Sequence, residues 1–244
     1  MKEWFELLTE PGITFEEAVE FFGDKLPLKP SEFYKLAEEY RTQAFTISGY
    51  SKIQVLNQFH TQLLSAIEEG STVRKFKDEM NEFLNKRGYE GITNYQADNI
   101  FRTNIQTAYQ VGHHKVMTSP EVMQLRPYWQ YDAVNDQRTR PAHMAMDGKV
   151  YRADDPIWDT WYPPNGFRCR CGVSTLSERQ VQARGLTVET KPLVVAEVNG
   201  RFTNVLPDPQ FSTNPAQHAF KPHVENYPQS LQKAFNNRES RKKK

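Results

Sequence analysis

Cys169 and Cys171, the only cysteines in the chain, close the run Tyr162-Pro163-Pro164-Asn165-Gly166-Phe167-Arg168-Cys169-Arg170-Cys171, and His143 closes the earlier run Asp136-Gln137-Arg138-Thr139-Arg140-Pro141-Ala142-His143. Two thiols and an imidazole are borderline-soft donors of the kind that structural zinc takes. In an extended segment residues two apart share a face, so both thiols point one way and Arg170 the other. That arrangement suits a shared ligand better than a shared bond, because a bridge between cysteines one residue apart closes a strained ring. His143, Cys169 and Cys171 supply three donors. A fourth is open to Asp136, Asp147 or a histidine of the C-terminal segment, and spacing selects none of them. A second reading makes the cysteines small half-buried core residues, with His143 bonded to a carbonyl to fix the loop. A third is nucleophilic, with a cysteine activated by His143 and Asp136 orienting the imidazole. Against it, the chain has no glycine-rich phosphate loop, no GxSxG elbow and no HExxH helix, and it reads as a non-enzyme.

The elements that must hold these groups change character along the chain. Pro163, Pro164 and Asn165-Gly166 belong to a rigid loop, since proline lacks an N–H and Asn-Gly favours positive φ. Before it, apolar stripes at helical spacing predict a mostly helical region. Thr14 with Glu17 caps a first short helix, Pro30-Ser31 opens a second that runs to Gly49, and a third spans 51–69. Ser71 caps a fourth, closed at Gly88, and a fifth covers 94–117. From Pro127 the content turns aromatic and β-branched, and predicts short strands at Tyr128 to Val134, Lys149 to Tyr151 and Cys171 to Leu176. Ser177 with Gln180 caps a helix that stops at Gly185, followed by a strand at Leu186 to Glu189. After Gly200 the chain is rich in proline and asparagine and reads as a tail, ending in a weak helix, that wraps the rest or meets a partner. The fold class expected is α+β: a helical N-terminal region over 1–120, a small mixed domain with a short sheet over 121–200, and an irregular tail over 201–244.

Composition narrows the partners. Thirty-one Lys and Arg face thirty Asp and Glu among 244 residues, so no global basic field argues for nucleic acid. Only Arg238 to Lys244 is strongly basic, which reads as a solvated, disordered end or as a DNA contact through the tail. No run of 18 apolar residues marks a membrane span, and the start lacks a signal-peptide core, so the expected setting is a cytosol with reduced thiols.

Several blocks in order closely resemble the phage Mu F-like minor head proteins of the phage head-morphogenesis family. They are Asp136 to His143, Asp147-Gly148-Lys149-Val150-Tyr151, Asp155 to Asp159, Tyr162-Pro163-Pro164-Asn165-Gly166, Cys169-Arg170-Cys171 and Leu176 to Arg179. Arg102-Thr103-Asn104 resembles the family's Arg-Thr block on the preceding helix, and Phe211 to Pro215 its downstream Phe-x-x-Asn-Pro block. The resemblance implies a structural minor head protein, made in the bacterial host cytoplasm and carried in the virion head, that meets portal and capsid or scaffold proteins during procapsid assembly. Arg102, Asp136, Arg138, Asp147, Gly148, Pro163, Pro164 and Arg170 are its motif positions. It also implies a structural zinc, yet Arg140, His143 and Gly166 stand where many relatives carry two cysteines and a histidine. The loop can equally be held by Arg138 or Arg140 paired with Asp147 or Asp155. Because head-morphogenesis domains are also fused to effectors, the runner-up is a nuclease or toxin-like enzyme.

Overall fold

The computed structural model describes residues 15–217, 219, 220, 225 and 229–242. It is an α+β fold in which a helical layer carries a small antiparallel sheet. The proposed cap Thr14 lies outside the described residues, and the helix it would open, α1, spans Glu16–Gly23. Helices α4 (Ile53–Glu69), α5 (Val73–Asn85) and α6 (Asn94–Met117) follow the apolar stripes; α4 and α6 pack on α1 and on each other, and α5 packs on both of them. Their shared core contains Phe22, Leu56, Phe59, Leu63, Phe76 and Met80, each contributing about 1.5–3 kcal/mol through burial. Thr72 rather than Ser71 caps α5, its hydroxyl accepting from Lys75 N–H, and Thr93 with Gln96 forms a capping box at the start of α6.

The continuous helix expected from Pro30 to Gly49 is absent. Two single turns, α2 (Pro30–Phe33) and α3 (Glu38–Arg41), stand in its place, flanked by β1 (Leu26–Pro27) and β2 (Ala44–Phe45), which pair in parallel. Ala37 is extended, with ψ 151°, and Arg41 folds back so that Nε donates to Leu36 O at 3.1 Å and Nη2 to Tyr34 O at 3.2 Å. Those carbonyls therefore bond outside a helical ladder, and Leu36 and Ala44 form a separate small apolar cluster.

After α7 (Pro120–Leu125), strands β3 (Tyr128–Asp132), β4 (Val150–Arg152) and β5 (Gly172–Leu176) form one sheet in the order β4-β3-β5, antiparallel throughout. Trp129 pairs with Tyr151 on one side and Thr175 on the other, and the alternation of β3 buries Trp129 and Tyr131. Helix α8 (Pro141–Met146) lies between β3 and β4, and α9 (Trp158–Trp161) between β4 and β5. Trp129, Trp158 and Trp161 are core residues. Ser177 and Gln180 make the expected capping box before α10 (Glu178–Ala183), while Leu186 to Glu189 contributes only a single bridge, Val188 to Val150.

The hairpin β6 (Val195–Val198) and β7 (Arg201–Asn204) was not expected. Its signal was the Asn199-Gly200 dipeptide, which turns with φ 52° and 74° between alternating residues. The following segment straps the molecule. Ser212 N–H donates to Glu38 Oε1 at 2.8 Å, Asn214 N–H to Asp159 O at 2.7 Å, and Ala216 and Ala219 enter the helical core. The weak helix expected at the end is α11, Gln229–Lys242, and it takes in Arg238 to Lys242 of the stretch read as disordered. Lys243 and Lys244 lie outside the described residues. Among the described residues, no helix is long and apolar enough to cross a membrane.

Candidate functional site

The loop from Tyr162 to Cys171 is held from two sides. Asn165 is fully buried; its Oδ1 accepts from Tyr131 Oη–H at 3.0 Å and its Nδ2 donates to Thr160 O at 3.2 Å. Pro163 and Pro164, joined by a cis peptide, place it there. From α6, Gln106 Nε2 donates to Cys171 O at 2.9 Å, Thr103 Oγ1 accepts from Arg168 N–H at 3.1 Å, and Gln110 O accepts from Tyr162 Oη–H at 2.9 Å. Arg168 takes φ 58°, which turns the chain into the Cys-Arg-Cys segment. Thr103, Gln106 and Gln110 recur at three and four residues, a polar stripe that was legible in the helix but carried no obvious target.

His143, on α8, meets the two thiols in the interior. Its Nδ1 lies 3.4 Å from Cys171 Sγ and 3.7 Å from Cys169 Sγ. The three donor atoms fall within 4.8 Å of one another, and all three residues are buried. Hydrogen bonding from the Cys171 thiol, helped by His143 against the cost of burial, draws the Cys169 thiol down to about 4. The same contact, together with burial, pushes Cys171 up. A neighbouring cavity of about 20 Å³ reaches Val134, Thr139 and the three donors, enough for one water. Donor chemistry, spacing and burial fit zinc in three of its four positions, with a water-sized space beside them.

Other expected roles do not hold. His143 does not bond a carbonyl among the described residues; Nδ1 faces sulfur, and Nε2 is buried without a partner. The cysteines are buried rather than half-buried. Asp136 neither orients the imidazole nor completes the donor set, because both its oxygens are taken by Arg170, Oδ2 from Nη1 at 2.7 Å and Oδ1 from Nη2 at 2.6 Å. That bidentate bond, with added help from Arg138, holds its carboxyl well below the usual range. Asp147 is spent on Ala133 N–H at 2.8 Å and Asn135 Nδ2 at 2.6 Å, so it serves as a turn cap. Gly148 has φ 73° and donates its N–H to Tyr131 O at 2.8 Å, closing the same turn. His218 and His223 lie outside the described residues.

The arginine partners also differ from expectation. Arg138 pairs with Asp136, and Arg140 with neither Asp147 nor Asp155. Arg140 Nε meets Asp208 Oδ2 at 2.9 Å, and Nη2 donates to Phe167 O at 2.8 Å. Arg102, on α6, pairs with Asp98 one turn earlier. Asp208 sits in the tail and carried no signal in the sequence.

Fold and site together define an α+β protein organised round a buried thiol–imidazole cluster and an arginine-held loop. Residues 57–174 match the family model described as Phage Mu protein F like protein, and over this segment the chain is Mu F-like. It is 38% identical over 170 residues to the Mu-like prophage FluMu F protein of Haemophilus influenzae, a match covering 65% of this chain and 41% of the relative. It is 32% identical over 189 residues to the putative capsid assembly protein F of Escherichia phage Mu, covering 71% and 43%. The chain therefore spans about two-fifths of the length of the curated relatives it matches. No solved structure matches it.

Proposed function

We propose that this chain is a structural component of phage head assembly. The observation that carries the reading is its 189-residue similarity to the putative capsid assembly protein F of phage Mu. The partners of this reading are portal and capsid or scaffold proteins, and its place is the virion head. The site supports a scaffold role over catalysis, because both thiols are buried and no described carboxylate orients the imidazole. His143, Cys169 and Cys171 would hold one structural zinc, which would tie α8 to the segment entering β5. A small sheet with a limited core gains from such a cross-link. Affinity capture with the tagged full chain from cells producing phage heads tests the assembly role. Recovery of portal and major capsid proteins is expected. Their absence, together with normal heads from a phage lacking this chain, would sink the reading.

A further inference from the structure

Outside the thiol cluster, five arginines from three separate segments converge on one surface cavity of about 330 Å³. Arg102 comes from α6, Arg138 and Arg140 from the turn before α8, and Arg168 and Arg170 from the loop entering β5. Three carboxylates hold them in place. Asp98 takes Arg102 Nε at 2.5 Å and Arg168 Nη2 at 2.7 Å, Asp136 takes Arg170 and Arg138, and Asp208 takes Arg140. Five guanidinium groups against three carboxylates leave two positive charges in excess. Among the described residues, the two Nη groups of Arg102 and Nη1 of Arg138 and Arg168 make no hydrogen bond. The forks are thus ordered before any ligand arrives, which lowers the entropy lost on binding.

The positive surface continues beyond this cavity. An adjoining concavity of about 760 Å³ shares Tyr95 and Arg168 with the first and adds Arg74 and Lys77 on α5, with the carboxylates of Asp78 and Asp98 also at its wall. Arg74 makes only a loose pair with Asp78, at 3.9 Å. Tyr95 stands between the two and is 66% exposed, with the Arg168 guanidinium 5.3 Å from its ring centre. A single small anion could use one cavity but not both. A chain of phosphates could use the whole strip, and an exposed ring set among arginines is a surface on which an unpaired base stacks. A duplex hides its base faces, and an acidic peptide gives Tyr95 nothing to stack against. We propose that this groove binds the phosphates of a single-stranded nucleic acid, with Tyr95 stacking on a base. This site is distinct from the basic C-terminal end and does not depend on the head-assembly role.

Fluorescence anisotropy of a labelled oligothymidylate of about 16 nucleotides, titrated with the full chain at several salt concentrations, tests the site. Binding should weaken steeply with salt. Arg138→Ala with Arg168→Ala should weaken it at least about tenfold and flatten the salt slope by about 1.4, two phosphate contacts at about 0.7 each. Arg74→Ala with Lys77→Ala, both on α5, should act in the same direction if the strip is continuous. Tyr95→Ala should weaken binding about tenfold with the salt slope unchanged. Deleting Arg238 to Lys244 should leave the affinity in place. Melting temperatures like that of the unaltered chain certify that each variant is folded. The proposal fails if the unaltered chain does not bind at low salt, or if both arginine-site variants bind as it does. It fails equally if only the C-terminal deletion abolishes binding, or if polyglutamate or duplex DNA competes as well as the labelled strand.

Discussion

The Arg140 guanidinium carbon lies 3.2 Å from the point where a Cβ on Gly166 would stand, and the Asp208 carboxylate that pairs with Arg140 lies closer still. These are the two positions at which the chain lacks a metal ligand implied by its family resemblance. The structure makes them one linked departure, since a side chain at 166 and the Arg140–Asp208 pair would occupy the same space. Gly166→Ala is therefore expected to destabilise the chain by about 1–3 kcal/mol through overpacking. In an Asp208→Ala background the cost should shrink, because the clashing carboxylate is gone. Urea denaturation of the four proteins measures the coupling; equal costs in both backgrounds would contradict the steric account.

About one zinc per chain is expected from elemental analysis of protein purified without chelator. Cys169→Ser should lose it, and its melting temperature should fall with that of chelator-treated protein. Protein without metal, and a Cys169→Ser variant that melts as the unaltered chain does, would remove zinc from the account and leave a thiol–imidazole hydrogen-bond cluster.

Arg170 bonds both oxygens of Asp136, from the opposite side of the segment that offers its thiols to His143. Arg170→Ala and Asp136→Asn should each lower the melting temperature by a few degrees at most. The double variant should fall no further than the worse single one, since the two act as one contact. Fully additive losses would show that each residue matters for some other reason.

His114 is packed edge-on to Tyr162 and Trp129, and burial lowers its pKa from 6.5 to about 4. The folded state therefore binds fewer protons than the unfolded one between these values. The stability due to the neutral imidazole is fully present above pH 6.5 and is lost as pH falls toward 4, by on the order of 2 kcal/mol after allowance for partial solvent access. Denaturation measured across that window should show the loss, and His114→Gln should flatten it. An unchanged slope in the variant would assign the acid sensitivity to other groups.

Much of the helical layer was legible because periodicity and capping act within a few residues. The stripe of Leu56, Phe59, Leu63 and Ile67 and the Ser177–Gln180 box are local statements, and they hold. The stretch from Pro30 to Gly49 misled for the same reason. Its apolar spacing is helical, but Arg41 turning back onto Tyr34 and Leu36, and the pairing of β2 with β1, break it into two turns.

The loop shows the division most clearly. From residue types alone, Pro-Pro-Asn-Gly required a turn, and the alternation of an extended chain placed Cys169 and Cys171 on one face with Arg170 on the other. Stereochemistry over two residues determines that much. Tertiary structure alone decided that His143 faces both sulfurs, that Asp136 belongs to Arg170, that Asp208 reaches Arg140 from the tail, and that five arginines share one cavity. Those partners are 26 to 68 residues apart and meet only after β3 pairs with β5 and the strap closes over α9. No local rule carries their distances, because charges and thiols choose partners by what the folded core brings within reach.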